Sequence, residues 1–238
     1  MLAQLKLGEI TVDVIRKDIK NLHLSVYPPT GRVRISAPSR MNLDTIRVYA
    51  VSKLGWIKKQ QTKLRNQERE TQRDYITRES HYFMGKRYLL KISETDLAQT
   101  VVLRHREIEL VIRKGADLEQ RQKLLEDWYR KQLRHKAGSY ISFWEKQMNL
   151  KVAEFGIKKM RTKWGSCNRE AKRIWLNLEL AKKPKECLEY IVVHEMVHIV
   201  ERNHGTRFIS FMDQFLPQWR QYKEELNRLP IGHTNWRY

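Results

Sequence analysis

His194 and His198 lie four residues apart in a stretch, Leu188 to Val200, whose remaining members are mostly apolar. Few folds accommodate that combination. The apolar residues recur as they do in a buried helix, and Pro184 and Glu186 suit its first turn. At 3.6 residues per turn the two imidazoles share one face, about 6 Å apart along the axis. Burying two imidazoles and Glu195 is costly unless something binds them. The HExxH spacing suits one divalent metal gripped by both rings. Glu195, rotated by roughly 100° from His194, then reaches a water activated by the metal rather than the metal itself.

A third ligand has to come from beyond the helix. His204 follows His198 after five residues, and its approach requires the chain to stop and reverse after Glu201-Arg202-Asn203. Asn203 tolerates a left-handed backbone, and Gly205 adds freedom. Glu201 and Asp213 are the alternative carboxylate ligands, and His204 as a plain surface residue is the remaining reading. A three-imidazole site with an open fourth position is the arrangement of catalytic zinc.

Charge constrains the partners. The chain carries 47 basic and 27 acidic residues, a net +20, spread over the sequence rather than held in a tail. One basic group runs from Arg47 to Arg73 and another from Lys158 to Arg173. A field of that sign offers non-specific contact to nucleic acid, or is simply a solvated surface. No sequence-reading nucleic-acid motif is present. No apolar run reaches membrane-spanning length, and the start of the chain lacks a signal core. Two cysteines, Cys167 and Cys187, form neither a CxxC pair nor a disulfide framework, which points to a reduced, cytoplasmic setting.

The patterning predicts an α+β protein. Strands are expected at Ile10–Ile15, Leu22–Tyr27 and Val33–Ala37, with a turn at Pro28-Pro29-Thr30-Gly31. One helix is expected from Asn42 to about Arg65, and the polar stretch from Gln67 to Ser80 reads as an extension or linker. Further strands fit Tyr82–Ile92, Thr100–Leu103 and Ile108–Ile112. A long helix from Leu118 to about Met148 carries an aromatic stripe that belongs to a core. Strands at Lys151–Met160 and Arg173–Leu180 precede the His helix, and a last helix runs from Thr206 to about Asn227, with a break at Pro217. The natural division is a strand-rich region over 1–117 with one helix, and a catalytic domain over 118–238.

Trp164-Gly165-Ser166-Cys167, Ile174-Trp175-Leu176-Asn177-Leu178, Pro184, Tyr190 to Glu195, and Asn203-His204 with Phe208 together resemble the YgjP-like metallopeptidase family, which is related to the SprT/Spartan and WLM zinc proteases. The likeness is densest from residue 161 to 215. It implies a compact zincin-like core: helix, small sheet, HExxH helix and C-terminal helix. It also implies His194, His198 and His204 as ligands of one zinc ion per chain, and Glu195 as the catalytic base.

Three readings stay open for Trp164, Gly165, Ser166 and Cys167. Cys167 is a nucleophile or a thiolate that blocks the metal; the segment is a tight turn with a small buried thiol; or it is an edge on which an extended substrate adds as a strand. For the oxyanion donor the residues offer Arg207, Tyr222 and His233, and for acceptors behind the ligands Asp213, Glu179 and backbone carbonyls. The expected function is hydrolysis of peptide bonds in a peptide or protein substrate. The alternative is a nucleic-acid-binding protein with a structural or vestigial zinc site. Oligomeric state is not legible.

Overall fold

A computed structural model describes residues 2–27, 30–66, 72–160 and 163–230. They form two compact units, divided between Arg69 and Glu70. Among the described residues there are six α-helices and three small mixed sheets, as an α+β class requires.

The first unit holds β1 (Leu2–Leu7), β2 (Ile10–Lys17), β3 (His23–Tyr27), β4 (Arg32–Pro38), α1 (Leu43–Ser52) and α2 (Leu54–Asn66). The strand β1 was not expected. It pairs antiparallel with β2 across a two-residue turn in which Gly8 takes φ +62°, the left-handed value such hairpins need. Alternate side chains of the sheet, among them Val12, Val14, Val33 and Ile35, bury against Ile46, Ala50 and Ile57 of the helices. The single helix expected from Asn42 is interrupted at Lys53. There the Ser52 hydroxyl donates to Tyr49 O and Lys53 N–H donates to Ala50 O, a tightened last turn, with Gly55 just beyond. The expected turn at Pro28-Pro29 lies outside the described residues.

The second unit begins with β5 (Ser80–Phe83), β6 (Lys86–Thr95), β7 (Thr100–Leu103) and β8 (Glu107–Arg113), followed by α3 (Leu118–Met148). It continues with β9 (Glu154–Lys158), β10 (Gly165–Asn168), β11 (Arg173–Asn177), a 3₁₀ turn over Leu178–Lys182, α4 (Lys185–Val200), α5 (Thr206–Phe215) and α6 (Trp219–Arg228). The expected boundary at 117/118 falls inside this unit. The reason is the core: Leu90, Ile108 and Leu110 of the second sheet share one cluster with Leu125 and Leu133 of α3 and with α4. The expected strand Tyr82–Ile92 is a hairpin, turning at Met84-Gly85, where Gly85 packs against Pro184 at φ +79°. The last helix does break at Pro217, giving α5 and α6.

One topology recurs. In each sheet three successive strands are ordered so that the third lies between the other two, parallel to the first and antiparallel to the second. The sets are β2-β3-β4, β6-β7-β8 and β9-β10-β11. A helix follows each set. The middle strand in sequence therefore ends at a sheet edge every time, and β10 is the third such edge.

α3 is the backing helix. Asp117 caps it in a reciprocal box with Gln120, and Asn149 ends it in a left-handed conformation at φ 49°. Leu125, Tyr129, Leu133, Ala137, Ile141 and Trp144 form its buried stripe, and the Trp144 indole N–H donates to Glu189 Oε1 of α4 at 3.1 Å.

On β8, Glu109 is 7% exposed and accepts from Ser93 Oγ at 2.7 Å and Arg104 Nε at 2.8 Å, with Lys91 Nζ at 3.1 Å. These donors hold its carboxyl down at about 2. A depressed carboxyl contributes stability above its ordinary value of 4.5 and loses it as pH falls from there towards 2. Glu109→Gln is expected to lower Tm at neutral pH and to flatten its acid decline over that window. Equal slopes for the two proteins in a thermal-unfolding series would assign the acid loss elsewhere.

Candidate metal centre

α4 is apolar almost all round because it is packed on nearly every side. Ten of its sixteen residues are buried, Glu195 among them, while His194 and His198 open partly onto a cleft. Tyr190 stands one turn before His194 on the same face, its ring edge-on to the imidazole at 5.7 Å. The helix ends sooner than expected. Glu201 is extended at φ −130°, and its N–H closes the last turn on Val197 O. The reversal is thus made at Glu201 and not by a left-handed Asn203, which is absent from the positive-φ residues. Asn203 N–H instead donates to Glu201 Oε1 at 3.2 Å.

That reversal brings His204 back over the helix. His204 Nε2 lies 3.1 Å from His198 Nε2 and 3.1 Å from His194 Nε2, and the three donor atoms all fall within 4.8 Å of one another. Phe208, 2% exposed, packs against all three rings at centroid distances of 5.0, 4.8 and 4.6 Å. The residues fit a metal. His198 Nδ1–H donates to Glu201 O at 3.0 Å, which leaves its Nε2 as a lone pair. An N–H on His204 Nε2 can point at one neighbour only, so no arrangement of protons satisfies all three nitrogens, whereas a cation between them does. Burial, then the fields of His198, His204 and Lys223, hold His194 down at about 3, so it stays neutral and able to ligate.

Glu195 points to a different neighbour. Its side chain lies against Gly165 of β10, where an added Cβ would come within 2.6 Å of Oε1. The carboxylate is 5% exposed and has no hydrogen-bond partner among the described residues. Burial pushes it up to about 7, with the charge of Lys163 acting the other way. Such a group holds or releases a proton near neutrality. Gly165→Ala is expected to push this carboxylate aside and lower kcat/KM by about 10²-fold with the metal retained. Undiminished turnover in that variant would show that the close approach has no bearing on catalysis.

The segment Trp164 to Cys167 borders the same cleft, whose volume is about 1140 Å³. It is not a tight turn: Gly165–Asn168 is a strand, paired antiparallel to β11 on one side and forming the sheet edge on the other. Asn177, 4% exposed, anchors the chain entering it, with Nδ2 donating to Met160 O at 2.9 Å and Lys163 O at 2.8 Å. The Cys167 thiol is pushed up to about 11 by burial and the nearby Glu195, which removes its thiolate chemistry at neutral pH. The fallback ligands are engaged elsewhere. Glu201 accepts from Asn203 N–H, and Asp213 accepts from the Trp219 indole at 2.7 Å and pairs with Arg220. Glu179 pairs with Lys182. Arg207 and Tyr222 do not border the cleft, and His233 lies outside the described residues. Tyr190, Arg202 and Lys223 do border it and were not anticipated there as site residues. For Tyr190 the usable signal was its spacing of four from His194.

A His pair one turn apart on a buried helix, a third imidazole from the following turn, and a carboxylate beneath an edge strand define a metallopeptidase. The chain belongs to the YgjP-like metallopeptidase domain family, which it matches over residues 20–229. Among solved structures, the metallopeptidase zymogen abylysin of Pyrococcus abyssi is similar at 13% identity, over 38% of this chain and 90% of that one, with a TM-score of 0.36. The zymogen jannalysin of Methanocaldococcus jannaschii is similar at 22% identity, over 38% and 87%, with a TM-score of 0.35. No curated protein matches the chain. No described helix is long and apolar enough to cross a membrane.

Proposed function

We propose that this protein is a zinc-dependent metallopeptidase in which His194, His198 and His204 hold one Zn²⁺ per chain and Glu195 is the general base. The observation that carries the reading is the convergence of three imidazole nitrogens at 3.1 Å contacts beside a buried carboxylate that opens on the same cleft. Three imidazole nitrogens favour zinc over the hard cations that prefer oxygen ligands. When bound, the metal polarises the scissile carbonyl and makes water more acidic.

Glu195 takes a proton from the attacking water at its carboxylate as the new C–O bond forms. It returns that proton to the amide nitrogen as the C–N bond breaks, so the amine leaves neutral. The outer edge of β10 holds the substrate extended by backbone pairing, which sets the scissile bond near Glu195. Phe208 and Tyr190 pack around the imidazoles and fix their ring planes. The catalytic apparatus lies within the 118–238 segment, on a core completed by β5–β8. The free thiols Cys167 and Cys187 suit a cytoplasmic setting.

The test is elemental analysis of tag-free protein followed by peptide cleavage with and without chelator. About one zinc per chain, and cleavage that chelation stops and zinc restores, is the expected result. Protein that takes up no metal would overturn the reading.

A further inference from the structure

We propose that the cleft selects acidic, carboxylate-rich peptide segments, received by Lys163, Arg169, Lys172, Arg202 and Lys223. The inference rests on the metallopeptidase reading and names its substrate class. These five cations border the cleft, against only Glu170 and Glu195 among its carboxylates. They come from separate elements: Lys163 just before β10, Arg169 and Lys172 in the turn after it, Arg202 in the turn after α4, and Lys223 on α6.

None of the five has a carboxylate within 4.0 Å among the described residues. Basic neighbours just outside the cleft are engaged: Lys158 caps the Trp175 ring at 3.5 Å, Lys159 pairs with Glu126, and Arg173 meets Glu154 at 3.3 Å. Arg169 is held by its Nε–H, which donates to Ile199 O at 3.0 Å. This hydrogen bond anchors the guanidinium at the end of α4. A concave, one-signed lining concentrates its field on whatever enters. Polypeptide suits this cleft better than nucleic acid. It has a strand edge for backbone pairing, and its aromatic lining is limited to Trp164, partly buried, and Tyr190, buried, too little for a run of stacked bases.

The experiment uses zinc-loaded Glu195→Gln protein and short labelled peptides identical except for Asp/Glu, Asn/Gln or Lys at positions flanking one scissile bond. Binding is read by fluorescence anisotropy. At low salt the acidic peptide is expected to bind about tenfold tighter than the neutral one, several rim charges adding modest increments. The advantage shrinks as salt rises. Combined Lys172→Gln, Arg202→Gln and Lys223→Gln removes it, whereas Lys123→Gln, Lys131→Gln and Lys146→Gln, equal in charge but on α3, leave it. If the triple cleft variant fails to fold, Arg202→Gln and Lys223→Gln singly are each expected to weaken acidic-peptide binding by about two- to threefold.

Equal binding of acidic and neutral peptides overturns the proposal. So does an advantage that survives the cleft substitutions, because net charge alone then explains it. A single-stranded oligonucleotide that binds tighter than the acidic peptide and loses that binding in the same variants assigns the cleft to phosphates instead. Hydrolysis of the neutral peptide by the parent is scored separately. Its absence for every peptide counts against the metallopeptidase reading, while the binding series still decides the charge preference.

Discussion

Glu195→Gln is expected to leave the metal content unchanged and to lower peptide hydrolysis by about 10²–10⁴-fold. The substitution keeps size and shape, so the contact with Gly165 and the packing of α4 on β10 survive. What it removes is an oxygen able to accept a proton. Glu195 is separate from the imidazole cluster, and its carboxylate meets the strand edge rather than the three nitrogens. Metal retention with lost turnover is therefore the signature of a base, and metal loss would instead mark Glu195 as a ligand. Hydrolysis at the parent rate, measured on metal-replete protein, would remove the base role altogether.

His204→Ala is expected to weaken zinc binding by at least 10²-fold while the fold persists, a ligand counting for no less than the groups that support one. His204 is exposed and lies outside every helix, so its loss opens no cavity in the core. Among the described residues no other group joins the two remaining imidazoles in a metal-binding cluster. The Glu201 carboxylate receives Asn203 N–H, and Asp213 is held by Trp219 and Arg220. Competition with a chromophoric chelator gives the affinity. An unchanged value would move the third ligand elsewhere and leave His204 as a surface residue.

The grouping of the helix residues was legible in the sequence because it is local. His194, Glu195 and His198 occupy fixed rotations on one helix, so their spacing alone states which share a face. The placement of His204 was legible as a need, but its cause was misread. The chain turns back at extended Glu201, a β-region residue that any side chain can adopt, and nothing in the residue types marks it. Long-range pairing was the least legible. β1 was passed over although Ala3, Leu5 and Leu7 alternate with Gln4 and Lys6, because so short a run becomes a strand only once it pairs with β2. Leu90, Ile108 and Leu110 find their core partners on α3, across the expected division at 117, and no local pattern announces that pairing. The places of Arg202 and Lys223 at the cleft went unseen for the same reason: they become neighbours of Lys172 only once α6 has folded back onto α4.

The contact between Gly165 and Glu195 has a further consequence for how this protein can diversify. Most residues that would read a substrate lie before, on and just after β10, with Arg202 and Lys223 added from beyond α4, and the residues that would cut it lie on α4 and the turn beyond. These two stretches meet where one side chain is absent. A lineage can therefore redraw its diet by changing Ser166 or Lys172 without disturbing the blade, so long as the single glycine is kept. Drift at that one position would couple the two stretches at once, and appetite and edge would have to change together.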